Sequence, residues 1–402
     1  MNKFKETSLI KAHEGLTTFY HPPPEPDGVP RKRQTVFYNP RQSFNRDIAI
    51  LTYLAETKLL GRPPSLCEPF CGTGLRGLRY LIEGNAEEIL LNDINPLAVQ
   101  LTSYNLQFNK NHISPTSNIT IRNQDAFSLL FQLWKDENWI DFIDIDPFGS
   151  PSRYFLTTPL ATKRDGLLSY TATDLPVLTG VYPQKCFSRY FVSNIIRTDF
   201  CHEMALRLFI AAAQRQALMH SALLLPQLSF YTDHYIRVVF RRKKGPKKGI
   251  YENIGFISFC KKCTHRSRTN LNQTNANCSL CNSKINLIGP LWLGPTCNAL
   301  FLDKVQEMLN YSGQTTFGSF EKNFIKIERV LMRLKDEFDI NVPWHYDLHR
   351  LAKHLKVTVP SNKQVIQKLE DSGFKACKTH FSNQSIKTDA RVDELSDCLL
   401  NL

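Results

Sequence analysis

The run Asp141–Pro151 reads DFIDIDPFGSP, an apolar stretch broken by three aspartates and closed by a Pro-Phe-Gly turn. A buried carboxylate is costly unless it is paired or hydrogen-bonded, so such a run needs a reason. One chemistry that calls for it is group transfer to the exocyclic amine of a nucleobase. The lone pair of that amine is conjugated with the ring and weakly nucleophilic. Two acceptors for its hydrogens, a carboxylate and a backbone carbonyl, orient the lone pair and let charge leave as the new bond forms. Asp146 is the candidate carboxylate and Pro147 supplies the candidate carbonyl. The Phe148 ring beside them can stack on a base turned out of its helix. Asp144 is expected to support Asp146 from behind, and Asp141 to face solvent. Read without chemistry, the stretch is a turn or helix cap with an awkward acid.

Cys71–Gly77, CGTGLRG, places Gly72, Gly74 and Gly77 in a G-x-G-x-x-G pattern, after strand-like SLCEPF and before helix-like LRGLRYLIEG. Glycine permits a tight turn and close approach to a ligand, and the helix start offers unpaired N–H groups. Asp93 follows Gly74 by 19 residues, at the end of EILLND. A carboxylate there can hold ribose hydroxyls. Asp125, in NQDAF after a third strand, can meet an adenine amino group with the Ala126 N–H beside it. Taken alone, Asp125 reads equally as a turn or cap aspartate. Together these residues bring three successive strand ends to one adenosine-containing ligand, at the carboxyl edge of an open sheet. A dinucleotide and S-adenosylmethionine both contain adenosine. The first brings a pyrophosphate for the helix start to bind; the second needs polar partners for its amino-acid end.

Four of the eleven cysteines are not scattered. Cys260 and Cys263, then Cys278 and Cys281, form two C-x2-C pairs separated by fourteen residues. Thiolates at that spacing close around a tetrahedral structural Zn2+ without a large core, in a zinc-ribbon-like module. A zinc ion surrounded by protein sulfur has no open position, so stability or RNA docking is its expected role. The plain alternative is four unliganded thiols.

The elements that must position these groups follow from composition and pattern. With 402 residues, 42% of them hydrophobic, the chain suits two or three domains with a large core. No apolar run reaches the roughly 20 residues needed to cross a bilayer. The start MNKFKETSLIKAHEG lacks the apolar middle of a signal peptide, so a cytoplasmic location without membrane association is expected. Lys and Arg number 50 against 37 Asp and Glu, a formal net charge of +13, which favours a polyanionic partner. The charge is concentrated in Arg31-Lys32-Arg33 and in RRKKGPKK over Arg241–Lys248. The second run is a solvated linker or a phosphate-contacting loop.

The first forty residues, HPPPEPDGVPRKR among them, read as a loop-like arm. A helix is predicted from Ser43 to Gly61. Strand and helix patterns then alternate as far as HYIRVVFRR, which implies an α/β fold: a mostly parallel, Rossmann-like sheet with helices on both faces. The texture changes after residue 245. A zinc-ribbon-like module is expected over 255–290 and a helical, winged-helix-like α+β part over 300–388. Phe320, Phe324, Ile327, Leu331, Leu334 and Phe338 form one helical stripe, read as core. The expected division is 1–245 and 246–402, with a loosely ordered tail past Thr388.

VFYNPRQSFNRD (Val36–Asp47), CGTGLRGLR, LLND, DIDPFGSP, TATD (Thr171–Asp174) and THFSNQSIKT (Thr379–Thr388) together resemble the tRNA N2,N2-dimethylguanosine methyltransferases, from about Thr35 to about Thr388. The resemblance implies a class I S-adenosylmethionine-dependent methyltransferase domain and a C-terminal tRNA-binding domain. It implies transfer of one methyl group and then a second to N2 of guanosine 26 in tRNA. By position, it implies that Arg46, Arg76, Asp93, Asp125 and Ala126 contact the cofactor. Asp146 is then the catalytic carboxylate and Phe37 lies near the target guanine. A guanidinium can hold the methionine carboxylate bidentately; read singly, either arginine is a surface residue and Phe37 is core. The implied partner is tRNA, with no obligate protein partner. The nearest alternative is a methyltransferase for another guanosine or adenosine of structured RNA. A nucleotide-cofactor oxidoreductase accounts for the glycine loop but not for DPFGSP or the basic excess. A non-catalytic zinc-ribbon and winged-helix RNA-binding protein is the third reading.

Overall fold

The computed structural model describes residues 9–23, 35–192, 194–245, 249–270, 276–315 and 320–402. Arg31-Lys32-Arg33, most of the proline-rich arm, the end of RRKKGPKK and part of the loop between the cysteine pairs lie outside the described residues.

The start of the chain is more ordered than a loop. Strands β1 (Ile10–Glu14) and β2 (Thr17–His21) form an antiparallel hairpin that turns at Gly15. Thr17, Phe19 and His21 alternate inward, and Phe19 packs on Leu75 and Leu78. The inward face is half polar, so its alternation of hydrophobicity is weak.

Helix α1 (Ser43–Leu60) stops at Gly61 in the left-handed conformation. There follow β3 (Leu66–Glu68), α2 (Leu75–Ile82), β4 (Glu88–Asn92), α3 (Pro96–Phe108), β5 (Asn118–Arg122), α4 (Ala126–Lys135) and β6 (Ile140–Ile145). Short α5 (Thr157–Ala161) leads into β7 (Thr162–Ala172). Then come α6 (Leu175–Leu178), α7 (Pro183–Tyr190), α8 (Cys201–Leu218), β8 (Ala222–Thr232) and β9 (Tyr235–Lys244). Local rules set these boundaries. At α3, for example, Asn95 accepts the Leu97 N–H and Pro96 takes the first helical position.

Seven strands form one sheet in the order β5-β4-β3-β6-β7-β9-β8, parallel from β5 to β7. This is the expected Rossmann-like sheet. Its strand order reverses between β3 and β6, and ligands of doubly wound sheets bind beyond the carboxyl ends at such a switch.

Beyond it, β10 (Ile254–Phe259), β11 (Arg266–Thr269) and β12 (Asn286–Trp292) pair antiparallel in the order β11-β10-β12, with the cysteine pairs in their connections. Helices α9 (Ala299–Thr315) and α10 (Phe324–Phe338) follow. Phe320, Ile327, Leu331 and Leu334 are buried as expected, and Phe324 is half-buried. Phe338 is exposed, because it is the last residue of α10. Strand β13 (Tyr346–Asp347), helices α11 (Leu348–Leu355) and α12 (Asn362–Asp371), and strands β14 (Ala376–Lys378) and β15 (Ser385–Thr388) complete a small antiparallel sheet in the order β13-β15-β14. The tail is not loose: α13 (Val392–Leu400) buries Val392, Leu395, Cys398 and Leu399, a helical stripe at three- and four-residue spacing.

The chain divides into two compact units that interleave along the sequence. Met1–Thr171, Val239–Lys243 and Leu300–Arg329 make the first; Ala172–Val238, Lys244–Ala299 and Val330–Leu402 make the second. This division does not follow a single boundary at 245, because the late segment is built into the first unit. Asn323 donates to Ser43 and Asp47, and Arg79 lies over the Phe320 ring. Among the described residues no helix is long and apolar enough to cross a membrane.

Candidate active site

After β3 the chain turns through Gly72 and Gly74, both at positive φ, into α2. A Cβ on Gly72 would lie 3.1 Å from the Phe37 carbonyl, and one on Gly74 only 2.8 Å from Thr102. Both positions therefore need glycine for space as well as for backbone angle. Asp93, after β4, accepts the Gly72 and Asn95 N–H groups at 2.9 Å each, fixing the loop to the second strand end. Asn92 ties in the third: it donates to the Pro69 and Gln124 carbonyls at 3.1 and 3.0 Å, and accepts the Gln124 N–H. Asp125 caps α4, its Oδ1 accepting the Ser128 N–H at 3.1 Å, with Ala126 as the first helical residue. Its Oδ2 has the exposed Arg153 at 3.9 Å.

At the fourth strand end, Arg76 reaches from α2 into three carboxylates. It is ion-paired with Asp146, lies 3.2 Å from Asp144, and its Nε is 3.5 Å from Glu68. Arg76 also donates to Asn45 at 3.0 Å, and the Tyr80 hydroxyl donates to Asp144 at 2.8 Å. Glu68, Asp144 and Arg76 are buried, whereas Asp146 keeps 20% of its side chain exposed. Burial pushes the Glu68 carboxyl up to about 8; Arg76 opposes this, while Asp144 and Asp146 add to it. Glu68 therefore holds its proton at neutral pH, and its Oε2 has no hydrogen-bond partner among the described residues.

Beyond Asp146 and Pro147, Phe148 is 52% exposed and Gly149 has nothing within 4 Å of where a Cβ would stand. The Phe37 ring is also exposed and meets Phe148 edge to face, with centroids 5.7 Å apart. Phe37 is thus a surface ring near the carboxylate turn.

Arg46 is placed differently. Buried in α1, it grips Glu14 of the hairpin through two bonds of 2.6 and 2.5 Å and donates to the Asn39 carbonyl. Burial would raise the Glu14 carboxyl, but Arg46 and Arg79 bring it down to about 2. Neither arginine is a surface residue; Arg76 joins Asp146, and Arg46 joins the hairpin. Asp141 does not face solvent either. It is buried, accepting from Arg62 at 2.9 and 3.1 Å, from Ser65, and from Lys163 at 3.1 Å. Burial disfavours its charge, yet those donors hold its carboxyl well below the usual range. Glu14, Asn45, Glu68, Tyr80 and Asn92 carry part of the site without having been singled out by pattern. A polar residue inside an apolar run, as in LCEPF and LLND, is the one signal they leave.

Residues 21–400 match the family model for N2,N2-dimethylguanosine tRNA methyltransferase. The chain belongs to this family. It is 34% identical over 401 residues to the tRNA (guanine(26)-N(2))-dimethyltransferase of Pyrococcus furiosus, covering 95% of this chain and 96% of that one. The protein of the same name from Methanosphaera stadtmanae is 32% identical over 376 residues, 91% of each chain. Among solved structures, Trm1 from Pyrococcus horikoshii in complex with S-adenosyl-L-methionine superposes with a TM-score of 0.82. It is 28% identical, and the match covers 97% of this chain and all of that one.

In this N2,N2-dimethylguanosine tRNA methyltransferase family member the four clustered cysteines come together as well. The Sγ atoms of Cys260, Cys263, Cys278 and Cys281 lie within 4.8 Å of one another. Cys260–Cys281 and Cys263–Cys278 are each 3.5 Å apart. A tetrahedron with metal–sulfur bonds of about 2.3 Å has edges of about 3.8 Å, so the donor set fits Zn2+ in size and chemistry.

Proposed function

We propose that this chain transfers methyl groups to the exocyclic N2 of guanosine 26 in tRNA, once and then again, with Asp146 receiving a hydrogen of the amine. S-adenosylmethionine, when bound, supplies an electrophilic methyl group on a sulfonium. The observation that carries the reading is the half-open acid turn: Asp146 is fixed by Arg76, reaches solvent, and stands beside two exposed rings. Asp146 and the Pro147 carbonyl are the two acceptors that orient an amine lone pair. Phe148 and Phe37 offer faces for a base withdrawn from its stack.

The same edge favours a cation over a pyrophosphate. One guanidinium stands against the carboxylates of Asp144 and Asp146, with Glu68 protonated beside them, and a dinucleotide's phosphates would meet that excess of negative charge. Asp93 is assigned to the ribose hydroxyls, and Asp125 with the Ala126 N–H to the adenine. Arg46 and Arg76 belong to the same proposal for the methionine end, where a carboxylate would share a guanidinium already held by Glu14 or Asp146. Along the chain, 1–245 is assigned to catalysis and 246–402 to tRNA binding, through the zinc-ribbon-like cysteine module and the winged-helix-like set from β13 to β15.

Incubation with labelled S-adenosylmethionine and unmodified tRNA, followed by nucleoside mass spectrometry, tests the activity. The expected products are N2-methyl- and N2,N2-dimethylguanosine at position 26; methylation confined to another base would refute the assignment. For the cysteine module, native mass spectrometry should find one zinc per chain, lost in Cys260→Ser together with thermal stability. A metal-free wild type of undiminished stability would remove the zinc.

A further inference from the structure

Helix α7, in the second unit, has one face tied down and another bare. Cys186 and Tyr190, four residues apart, are buried. The Tyr190 hydroxyl and the Arg189 guanidinium each donate to Asp174 at 2.8 Å, and Arg215 donates to the Tyr190 carbonyl at 2.6 Å. One position further along, Phe187 and Phe191 form a second pair at the same spacing, and both are exposed. Their rings stack, with centroids 5.1 Å apart and planes inclined by 27°. Tyr182 is exposed as well, just before the helix, with the Lys185 ammonium 5.1 Å from its ring centroid.

Phe191 is the unusual member of the set. It ends α7 in the left-handed conformation, at φ 57°, where α1 ends on Gly61. Nine non-glycine residues have positive φ among the described residues, and the other eight are polar or charged. That region is sterically costly for a bulky side chain, and burial of the ring would offset the cost. Yet Phe191 is 71% exposed, the most exposed aromatic ring among the described residues. Phe187 covers one of its faces and leaves the other to solvent. A strained backbone that holds an apolar ring in water points to a partner that covers the ring. Charge selects the partner. Residues 175–198 contain Lys185, Arg189 and Arg197 and no acid. Asp174, just before them, is already engaged by Arg189 and Tyr190.

We propose that the open face of Phe191 stacks on one unpaired base of the substrate tRNA, with Phe187 backing it and Lys185 at the adjoining backbone phosphate. Aromatic rings interleaved with cations are the surface that single-stranded nucleic acid binds. Bases in RNA loops are free of their helix and can be stacked on such a ring. Every base has a π face, so the contact positions the RNA without selecting a sequence. The inference rests on the reading of the chain as a tRNA methyltransferase. A second copy of this chain could also cover the rings. A symmetric pairing would set the cations of α7 against those of its copy, whereas RNA brings phosphates to them.

The test is tRNA affinity across a KCl series for wild type, Phe191→Gly, Phe191→Trp and Lys185→Ala. S-adenosylhomocysteine affinity, urea unfolding and sedimentation are measured alongside. Phe191→Gly should weaken tRNA binding about five- to 150-fold, the worth of one stacked base, at an unchanged salt slope. Its urea midpoint should stay at or above the wild-type value, because glycine adopts the left-handed conformation without strain. Phe191→Trp keeps a ring at the position and should bind tRNA as the wild type does. Lys185→Ala should reduce the salt slope by about 0.7, the effect of one lost single-strand phosphate contact. S-adenosylhomocysteine affinity should stay at the wild-type value throughout. Wild-type tRNA affinity in Phe191→Gly overturns the proposal; if that variant also dissociates a wild-type dimer, the ring serves a second copy instead. Equal losses in Phe191→Gly and Phe191→Trp overturn it too, since stacking tolerates the larger ring. A wild type that binds no tRNA would sink the functional reading itself.

Discussion

Arg76 and Arg79 sit three residues apart on α2, and each is buried among acids. Around Arg79 stand Glu14 at 3.1 Å, Asp47 at 2.5 Å and Glu83 at 2.8 Å, and Arg46 adds a second guanidinium through Glu14. Two positive charges thus face three negative ones in a network closed by hairpin, helix and the Asn323 amide. Around Arg76 one guanidinium faces three acids, one of which reaches solvent. The first cluster ties the hairpin to α1 and α2, with Glu14 keeping a little exposure. The second differs in that Glu68 keeps its proton and Asp146, the acid proposed for catalysis, reaches solvent.

The largest expected effect separates the two clusters by activity. Asp146→Ala should cut turnover by about 10²- to 10⁴-fold while tRNA and S-adenosylhomocysteine affinities and the urea midpoint stay near wild type. Near-wild-type turnover would remove Asp146 from the chemistry. Next comes stability: Arg79→Met leaves Asp47 and Glu83 in the interior without their cation and should cost about 3–5 kcal/mol in urea unfolding. A cost under about 1 kcal/mol would erase the contrast.

The smallest effect is a pH slope of opposite sign in the two clusters. Glu68, at about 8 when folded against about 4.3 when unfolded, keeps a proton that the unfolded chain releases. Its contribution is complete below the unfolded value and drains away as pH rises through 8. Glu14, at about 2 when folded, contributes above its unfolded value and loses that contribution as pH falls towards 2. Unfolding at pH 3, 5, 7 and 8.5 should therefore show Glu68→Gln flattening the alkaline limb and Glu14→Gln the acid one. Slopes shared by both variants and the wild type would show that neither shift is linked to folding.

Much of the first unit's order was legible because its signals are local. Gly61 ends α1, Asn95-Pro96 starts α3, and the glycine loop sits between strand and helix, each from a few neighbouring residues. The place of Asp146 at the end of β6, open to solvent and paired with Arg76, was legible in part from the acid before Pro-Phe-Gly, while its chemical role is the proposal above. What stayed hidden depends on distant partners. The β1–β2 hairpin is half polar and is pinned through Glu14 to arginines 32 and 65 residues away. Asp141 looked like a strand-end surface acid until Arg62, Ser65 and Lys163 closed on it. Arg46 and Arg76 read as single side chains; their acids come from other strands. The α13 stripe is masked because it lies within a short, acidic terminal stretch.

The Leu300–Arg329 segment of the first unit has a consequence for how the protein is made. Synthesis runs from the N-terminus, so Asp47 and Arg79 are produced long before the Asn323 amide and Phe320 ring that complete their surroundings. A nascent chain ending near residue 245 holds every strand of the large sheet yet lacks that segment, and should remain open to protease. Stalled chains extending past Arg329 should gain resistance across α1 and α2. Contacts of such long sequence separation also slow folding, which makes the interval between those two lengths the time when this chain most needs a chaperone.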